Sequence, residues 1–209
     1  MNTNKFESPI LYYLCFALNL VLLLSIGVPS SAGASDQNPA RVPVIVDDFS
    51  HETQNSWGYP RYYVDDTSAG GSTNVKHSIV DGHLRMVGDI VPPRGQPGWT
   101  SVALLLDQTG GATDLSHFTG VEVRIKVDAG NVSISANSTE VNNFDYHIAP
   151  VQVKSDGQFY TVKLPFTSMN RTWSEQTPLN TQSIGSLSIV AYGLEPSTVR
   201  LAIDTIGFY

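Results

Sequence analysis

Val121-Glu122-Val123-Arg124-Ile125-Lys126-Val127 decides the fold class. Apolar residues take every second position and charged residues the positions between. Successive side chains of a strand point to opposite faces, so this stretch predicts a strand with one face in a core and the other in water. The same period recurs on both sides of it. Tyr160, Val162, Leu164 and Phe166 alternate with Thr161 and Lys163, and Val199, Leu201 and Ile203 with Arg200 and Asp204. Shorter alternations run through Leu84/Met86, Val102/Leu104/Leu106, Val132/Ile134/Ala136 and Leu187/Ile189/Ala191. Turn sequences separate them: Asp81-Gly82, Gly110-Gly111, Ala129-Gly130-Asn131 and Asp156-Gly157. After residue 35 no stretch carries a helical apolar stripe; residues 114–118 read at most as one turn with Leu115 and Phe118 on the same side. About eight to ten short strands with no helices between them predict an all-β fold, a jelly-roll β-sandwich. The missing crossover helices exclude parallel α/β architecture.

The N-terminus reads differently. Residues 10–28 are an almost unbroken apolar run, preceded by Lys5 and followed by Pro29, Ser30, Ser31, Ala32, Gly33 and Ala34. Small residues at 32 and 34 form an Ala-x-Ala cleavage signal, so residues 1–34 are expected to be a signal peptide. Residues 35–42 follow as a flexible leader, and 43–209 as the β-sandwich domain. The run is also long enough for an uncleaved anchor helix. The expected location is therefore secreted or periplasmic, with membrane anchoring as the alternative and no membrane span if the signal is cleaved. Cys15 is the sole cysteine and lies inside the run, so no intramolecular disulfide or thiolate zinc site can form. The formal net charge of -7, with only 12 Lys and Arg, argues against nucleic acid as a partner. A composition of 41% hydrophobic and 15% charged residues is that of a globular chain. Asn131, Asn137 and Asn170 begin Asn-x-Ser/Thr sequons, which matter only in a glycosylating compartment.

Several segments, taken in order, resemble the complex I intermediate-associated protein 30 family. They are Val46-Asp47-Asp48-Phe49 with Trp57, then Asp65-Asp66-Thr67-Ser68-Ala69-Gly70-Gly71-Ser72, then Asp114-Leu115-Ser116 with Phe118 and Gly120-Val121. Asn143-Phe144-Asp145-Tyr146-His147, Phe159-Tyr160-Thr161-Val162 with Leu164-Pro165-Phe166, and the closing Ile203-Asp204 with Ile206 complete the pattern. The resemblance spans nearly the whole chain after the leader. It implies a galactose-binding-like jelly roll, related in fold to family 11 carbohydrate-binding modules. The family's founding mitochondrial members assist assembly of NADH:ubiquinone oxidoreductase, and others are exported. Here the leader resembles a secretory signal rather than an Arg-rich transit peptide, and Ala69 stands where many members carry Met.

Candidate chemistry is thin. No His-Glu-x-x-His helix, Gly-x-Ser-x-Gly elbow, phosphate loop or dinucleotide fingerprint occurs, and no catalytic residue is expected. The loop from Asp65 to Ser72 is the sharpest feature. Gly70 and Gly71 permit positive φ, so N–H groups could converge on an anion or sugar oxygen beside Asp65 and Asp66; an ordinary Asx turn is the plainer reading. Trp57, Tyr59, Tyr62 and Tyr63 crowd one segment; Trp57 reads as core, while Tyr62 and Tyr63 read equally as core or as sugar-stacking faces. Tyr146, His147, Arg171 and Trp173 form a second set, in which Arg171 offers a planar donor fork; loop packing is the alternative. Asp47, Asp48 and Asp204 invite a structural calcium, chiefly through Asp48 and Asp204 if the first and last strands adjoin; solvated carboxylates are the plainer reading. No other cofactor is expected.

Two functions follow from different classes. An exported assembly module with a protein partner needs a contiguous apolar patch on the concave sheet face. A carbohydrate-binding module acting on a glycan at the cell exterior needs exposed tyrosines among polar neighbours there. A hydrolase with dispersed carboxylates is a third and weaker reading.

Overall fold

The structure, a computed structural model, describes residues 43–209. The leader, its cleavage site and Cys15 lie outside the described residues. Eleven strands follow one another: β1 (Val44–Asp47), β2 (Arg61–Asp65), β3 (Asn74–Val80), β4 (His83–Ile90), β5 (Gly98–Leu105), β6 (Gly120–Ala129), β7 (Asn131–Ser138), β8 (His147–Val151), β9 (Tyr160–Pro165), β10 (Ile184–Gly193) and β11 (Ser197–Phe208). The only helices among the described residues are two short 3-10 turns, Asp66–Ala69 and Phe166–Ser168.

The alternation at 121–127 is β6. Val121, Val123, Ile125 and Val127 are buried, while Glu122, Arg124 and Lys126 lie on the other side. β6 sits inside a six-stranded sheet of order β3-β4-β11-β6-β9, with β1 also paired to β11. β11 is long enough to take two partners along one edge. Val199 and Leu201 sit in the part that pairs with β4, while Ile206 and Phe208 sit in the part that pairs with β1. A register shift between Ile203 and Thr205 leaves Asp204 as an extra residue against β6. The second sheet has five strands, β2-β5-β10-β7-β8. Every pairing in both sheets is antiparallel.

The core lies between the sheets. Leu84, Met86, Ile125, Ile203 and Phe208 from one face Val102, Leu104, Ile134, Leu187 and Ile189 from the other, all fully buried. Asp81 and Gly82 both take positive φ, 52° and 70°, in the two-residue link from β3 to β4, the conformation that matches strand twist in a tight hairpin. Trp57 packs against Phe208, with ring centroids 6.3 Å apart, and its Nε1 donates to Ile45 O at 2.7 Å, so it lies partly buried against the core.

The all-β sandwich is as the alternation predicts, with some local differences. Phe166 leaves the β9 alternation for the following 3-10 turn but keeps its place in the core. Residues 114–118 form a turn, closed by Phe118 N–H donating to Leu115 O at 2.9 Å, with Leu115 buried. β2 and β8 show no apolar alternation in the sequence because both are short strands at the margins of their sheet. Among the described residues no helix is long and apolar enough to cross a membrane.

Candidate functional site

The five-stranded sheet buries Val102, Leu104, Val132, Ile134, Ala136, Leu187, Ile189 and Ala191 on its inner face. The residues between them therefore form its outer face. Register places these in cross-strand rows. One row runs Tyr62, Ala103, Ser188, Ser135, Ile148, and the next runs Val64, Ser101, Val190, Ser133, Pro150. Flanking rows hold Trp99, Tyr192 and Asn131 on one side and Leu105, Ser186 and Asn137 on the other. The middle is a floor of small hydroxyls and one amide. Ser135 Oγ donates to Asn137 Oδ1 at 2.7 Å, and Asn137 Nδ2 lies 2.9 Å from Ser186 Oγ and 2.8 Å from Ser188 Oγ. Ser133 is 1% exposed, and its hydroxyl has no hydrogen-bond partner. Tyr62 rises at the β2 margin, 51% exposed. None of these outward positions carries a charge. The outward side of the other sheet contrasts with this, with Arg124 and His83 both on Asp204 and Lys163 on Glu122.

Of the two neighbouring tyrosines of β2, only Tyr62 lies on this face. Tyr63 turns the other way and stacks on His77, ring centroids 5.0 Å apart. His77 also meets Thr100 Oγ1 at 3.0 Å. Its burial pushes the imidazole below its ordinary value, against the opposite pull of Asp65. Sequence reasoning did not single out the Ser/Asn floor. Its signal was there: Asn131, Ser133, Ser135 and Asn137 alternate with Val132, Ile134 and Ala136.

The loop after β2 is built inward. Asp65 caps the 3-10 turn, accepting from Thr67 N–H at 3.0 Å, which is the Asx turn. Asp66 is fully buried and accepts from Thr73 N–H (3.1 Å), Thr73 Oγ1 (2.7 Å) and Trp99 N–H (3.1 Å). Gly70 has φ 86°, and the N–H groups of Gly70 and Gly71 donate to Thr67 O and Asp66 O. These donors thus serve the turn itself rather than converging outward, and Asp66 anchors the start of β5 where Trp99 joins the outer face. A Cβ on Gly71 would fall 2.2 Å from Asp66 Cγ. Gly71→Ala is expected to cost about 1–3 kcal/mol as an overpacked site. A denaturant midpoint unchanged from the native chain would refute that.

The second predicted set does converge. Asp145 is fully buried and accepts from Thr172, Trp173 and Ser174 N–H at 2.7, 3.1 and 2.6 Å. Arg171 Nε donates to Asp145 O at 3.1 Å and Nη2 to Asn143 Oδ1 at 2.9 Å, so its fork is largely engaged within the chain. Asn143 Nδ2 donates to Ser174 Oγ at 2.9 Å. The two loops are stapled together, and from them Phe144 (77% exposed) and Trp173 (48% exposed) project, with Tyr146 at 6.4 Å from Phe144 in an edge-on contact. Asn170 pairs with Ile148 in both directions, at 2.9 and 3.0 Å, so this segment borders the five-stranded sheet beyond β8. His147 points inward, its Nε2 at 2.7 Å from Thr177 O.

The carboxylates considered for calcium engage different partners. Asp47 is buried and holds Arg61 through two contacts of 2.6 and 2.8 Å. Asp48 is exposed, and hydrogen bonds led by that of the Ser50 side chain hold it below the ordinary carboxylate value. Asp204 meets Arg124 Nη1 at 2.8 Å and His83 Nε2 at 3.2 Å. Among the described residues no group of three or more His, Cys, Asp or Glu is placed to hold a metal ion.

Residues 48–203 match the family model described as complex I intermediate-associated protein 30, a span that takes in β2 to β10, the first part of β11 and both loop clusters. The chain belongs to the complex I intermediate-associated protein 30 family. No curated protein matches it. Among solved structures, this member of the complex I intermediate-associated protein 30 family is similar to the family 11 carbohydrate-binding module of a cellulosomal cellulase of Clostridium thermocellum. The identity is 17% and the TM-score 0.56, over 81% of this chain and 95% of the other. It is also similar to a family 30 carbohydrate-binding module, at 16% identity and TM-score 0.51, over 81% of this chain and all (100%) of that one. An agarase is similar at 10% identity and TM-score 0.50, over 80% of this chain but only 24% of the enzyme. These likenesses establish the fold, a galactose-binding-like jelly roll.

Proposed function

We propose that this chain is a non-catalytic binding module, acting at the cell exterior, that takes a saccharide on the outer face of the five-stranded sheet. The observation that carries this is the floor of Ser133, Ser135, Asn137 and Ser188 beside the exposed ring of Tyr62 and the half-buried rings of Trp99 and Tyr192. Hydroxyls and amides both donate and accept, as sugar hydroxyls do. Aromatic faces add apolar area for the C–H faces of a pyranose. The side chains in the middle are small, and the buried Ser133 hydroxyl lacks a hydrogen-bond partner. The carbohydrate-binding modules that share this fold support the same reading.

A second reading, an assembly module for a protein partner, has one observation of its own. β2 is the outermost strand of its sheet, and Tyr62, Tyr63 and Val64 are 51, 44 and 44% exposed there. Such an edge can pair with an extended segment of another protein.

A glycan array probed with the full chain, with and without calcium, separates the two. Binding that is lost in Tyr62→Ala is the expected result. Silence across the array from a chain that melts cooperatively would refute the saccharide reading and favour the β2 edge and protein partners.

A further inference from the structure

We infer that the saccharide bound on this face is an uncharged one. The inference rests on the reading of the outer face as a saccharide site and narrows it to a chemical class.

The charge distribution of the two sheets carries the argument. The outward positions of the six-stranded sheet include Glu122, Arg124, Lys126 and Asp204, and salt bridges link them to one another and to neighbouring charged side chains. The outward rows of the five-stranded sheet hold only hydroxyls, amides, aliphatic groups and rings. A uronate or sulfate laid on that face would lose hydration with no cation to replace it, and an uncompensated charge is far costlier to desolvate than a hydroxyl. Sites that take carboxylates or sulfates supply Arg or Lys for this purpose.

Two arginines close to the site, Arg61 and Arg171, are already engaged. Arg61 belongs to β2 but faces inward, buried on Asp47. Arg171 lies on the segment beyond β8, where it bonds to Asp145 O and Asn143 Oδ1 and sits 3.7 Å from the Asp145 carboxylate. The Asp145 charge offsets that of Arg171, so the corner offers an acidic ligand little net attraction. A neutral ligand meets no such obstacle. Its hydroxyls can donate to Ser135 Oγ and Asn137 Oδ1 and accept from Ser188 Oγ, the capacity that the hydrogen bonds within the floor leave unused.

The test is affinity electrophoresis of the full chain through gels containing matched polysaccharides. Hydroxyethylcellulose and carboxymethylcellulose share one backbone and differ in charge; galactomannan and polygalacturonate extend the comparison. The ionic strength is held at or above about 0.15 M, where the Debye length is near 8 Å, so that the chain's overall negative charge does not by itself repel the acidic polymers. The expected result is retardation by one or more neutral polymers and by no acidic one. The retardation should weaken about tenfold or more in Tyr62→Ala and in Ser188→Lys, a difference of at least 1.4 kcal/mol. Retardation by acidic polymers that equals or exceeds the neutral ones, and that is lost in Tyr62→Ala, would overturn the uncharged class while leaving the face as the site. Retardation unaffected by either variant would overturn the site. No retardation by any polymer, from a chain that melts cooperatively, would overturn both.

Discussion

Arg61→Met is expected to lower the folding free energy by about 3–5 kcal/mol, because it leaves a buried carboxylate without its cation. The side chains of Arg61 and Asp47 are 1% and 0% exposed. Nε and Nη2 of the guanidinium meet Oδ2 and Oδ1 of Asp47 at 2.6 and 2.8 Å, a two-pronged contact, and Nη1 donates to His51 O at 2.7 Å. The guanidinium also lies 5.2 Å from the centre of the Phe49 ring. Asp47 in turn accepts from Phe49 N–H at 2.9 Å and so helps to hold that residue at φ 54°. Lysine carries the charge without the planar fork, so Arg61→Lys should recover only part of the loss. The double variant Asp47→Leu/Arg61→Met removes both charges together and should recover more than half of it. Guanidinium unfolding of the four chains measures this. A single Arg61→Met variant within about 1 kcal/mol of the native chain would mean that the pair is effectively solvated, as exposed pairs are.

The pair also shows where reading the sequence stops. The alternation of β6, β7, β10 and β11 was legible because each strand buries one full face, and burial imposes a period of two on the residues themselves. β2 was not legible as a strand. Its residues run buried, exposed, exposed, exposed and half-buried, since a strand at the margin of a sheet has no neighbour to enforce alternation. What sequence cannot supply is partnership across the fold. Asp47 and Arg61 are 14 residues apart, and Asn137 finds Ser188 at a separation of 51. Tyr62 and Tyr63 were singled out together as candidate rings, and nothing in their neighbourhood distinguished the two, although the pleat turns Tyr63 towards His77. The serines of the outer face were visible as polar alternates. That they gather in one uncharged floor depends on β5, β10 and β7 lying side by side, which only the sheet order reveals. Asp48 and Asp204 looked alike as spare carboxylates; the register shift in β11 gives Asp204 to Arg124 and His83, while Asp48 closes its own turn with Ser50 and Ser56.

Asp145→Asn is the second large effect, expected to cost about 2–4 kcal/mol at neutral pH, the scale for losing several hydrogen bonds to one charged group. The carboxylate receives three consecutive N–H groups from residues 172–174, which lie 27 to 29 positions away. An amide can match only some of them, because its NH2 would face donors. Burial pushes the Asp145 carboxyl up, but the hydrogen bonds from Thr172, Ser174 and Trp173 together outweigh it and hold the group below its ordinary value. The folded value is thus lower than the unfolded one, near 3.9. The stabilisation is therefore fully present above about pH 4 to 5 and is lost as pH falls through the folded value. The gap in stability between the native chain and Asp145→Asn should be constant from pH 7 to about pH 5 and narrow in more acid solution. Trp173 fluorescence reports the same event locally, since its N–H is one of the three donors and its ring is 48% exposed. Phe144, at φ 62° between Asn143 and Asp145, is a bulky residue in a conformation that persists only when its surroundings impose it. Loosening the clamp lets it relax, which offsets part of the cost and places the expected loss below that of Arg61→Met. A gap that stays the same from pH 7 to pH 3 would assign the cost to packing rather than to the charge, and the clamp would then be steric.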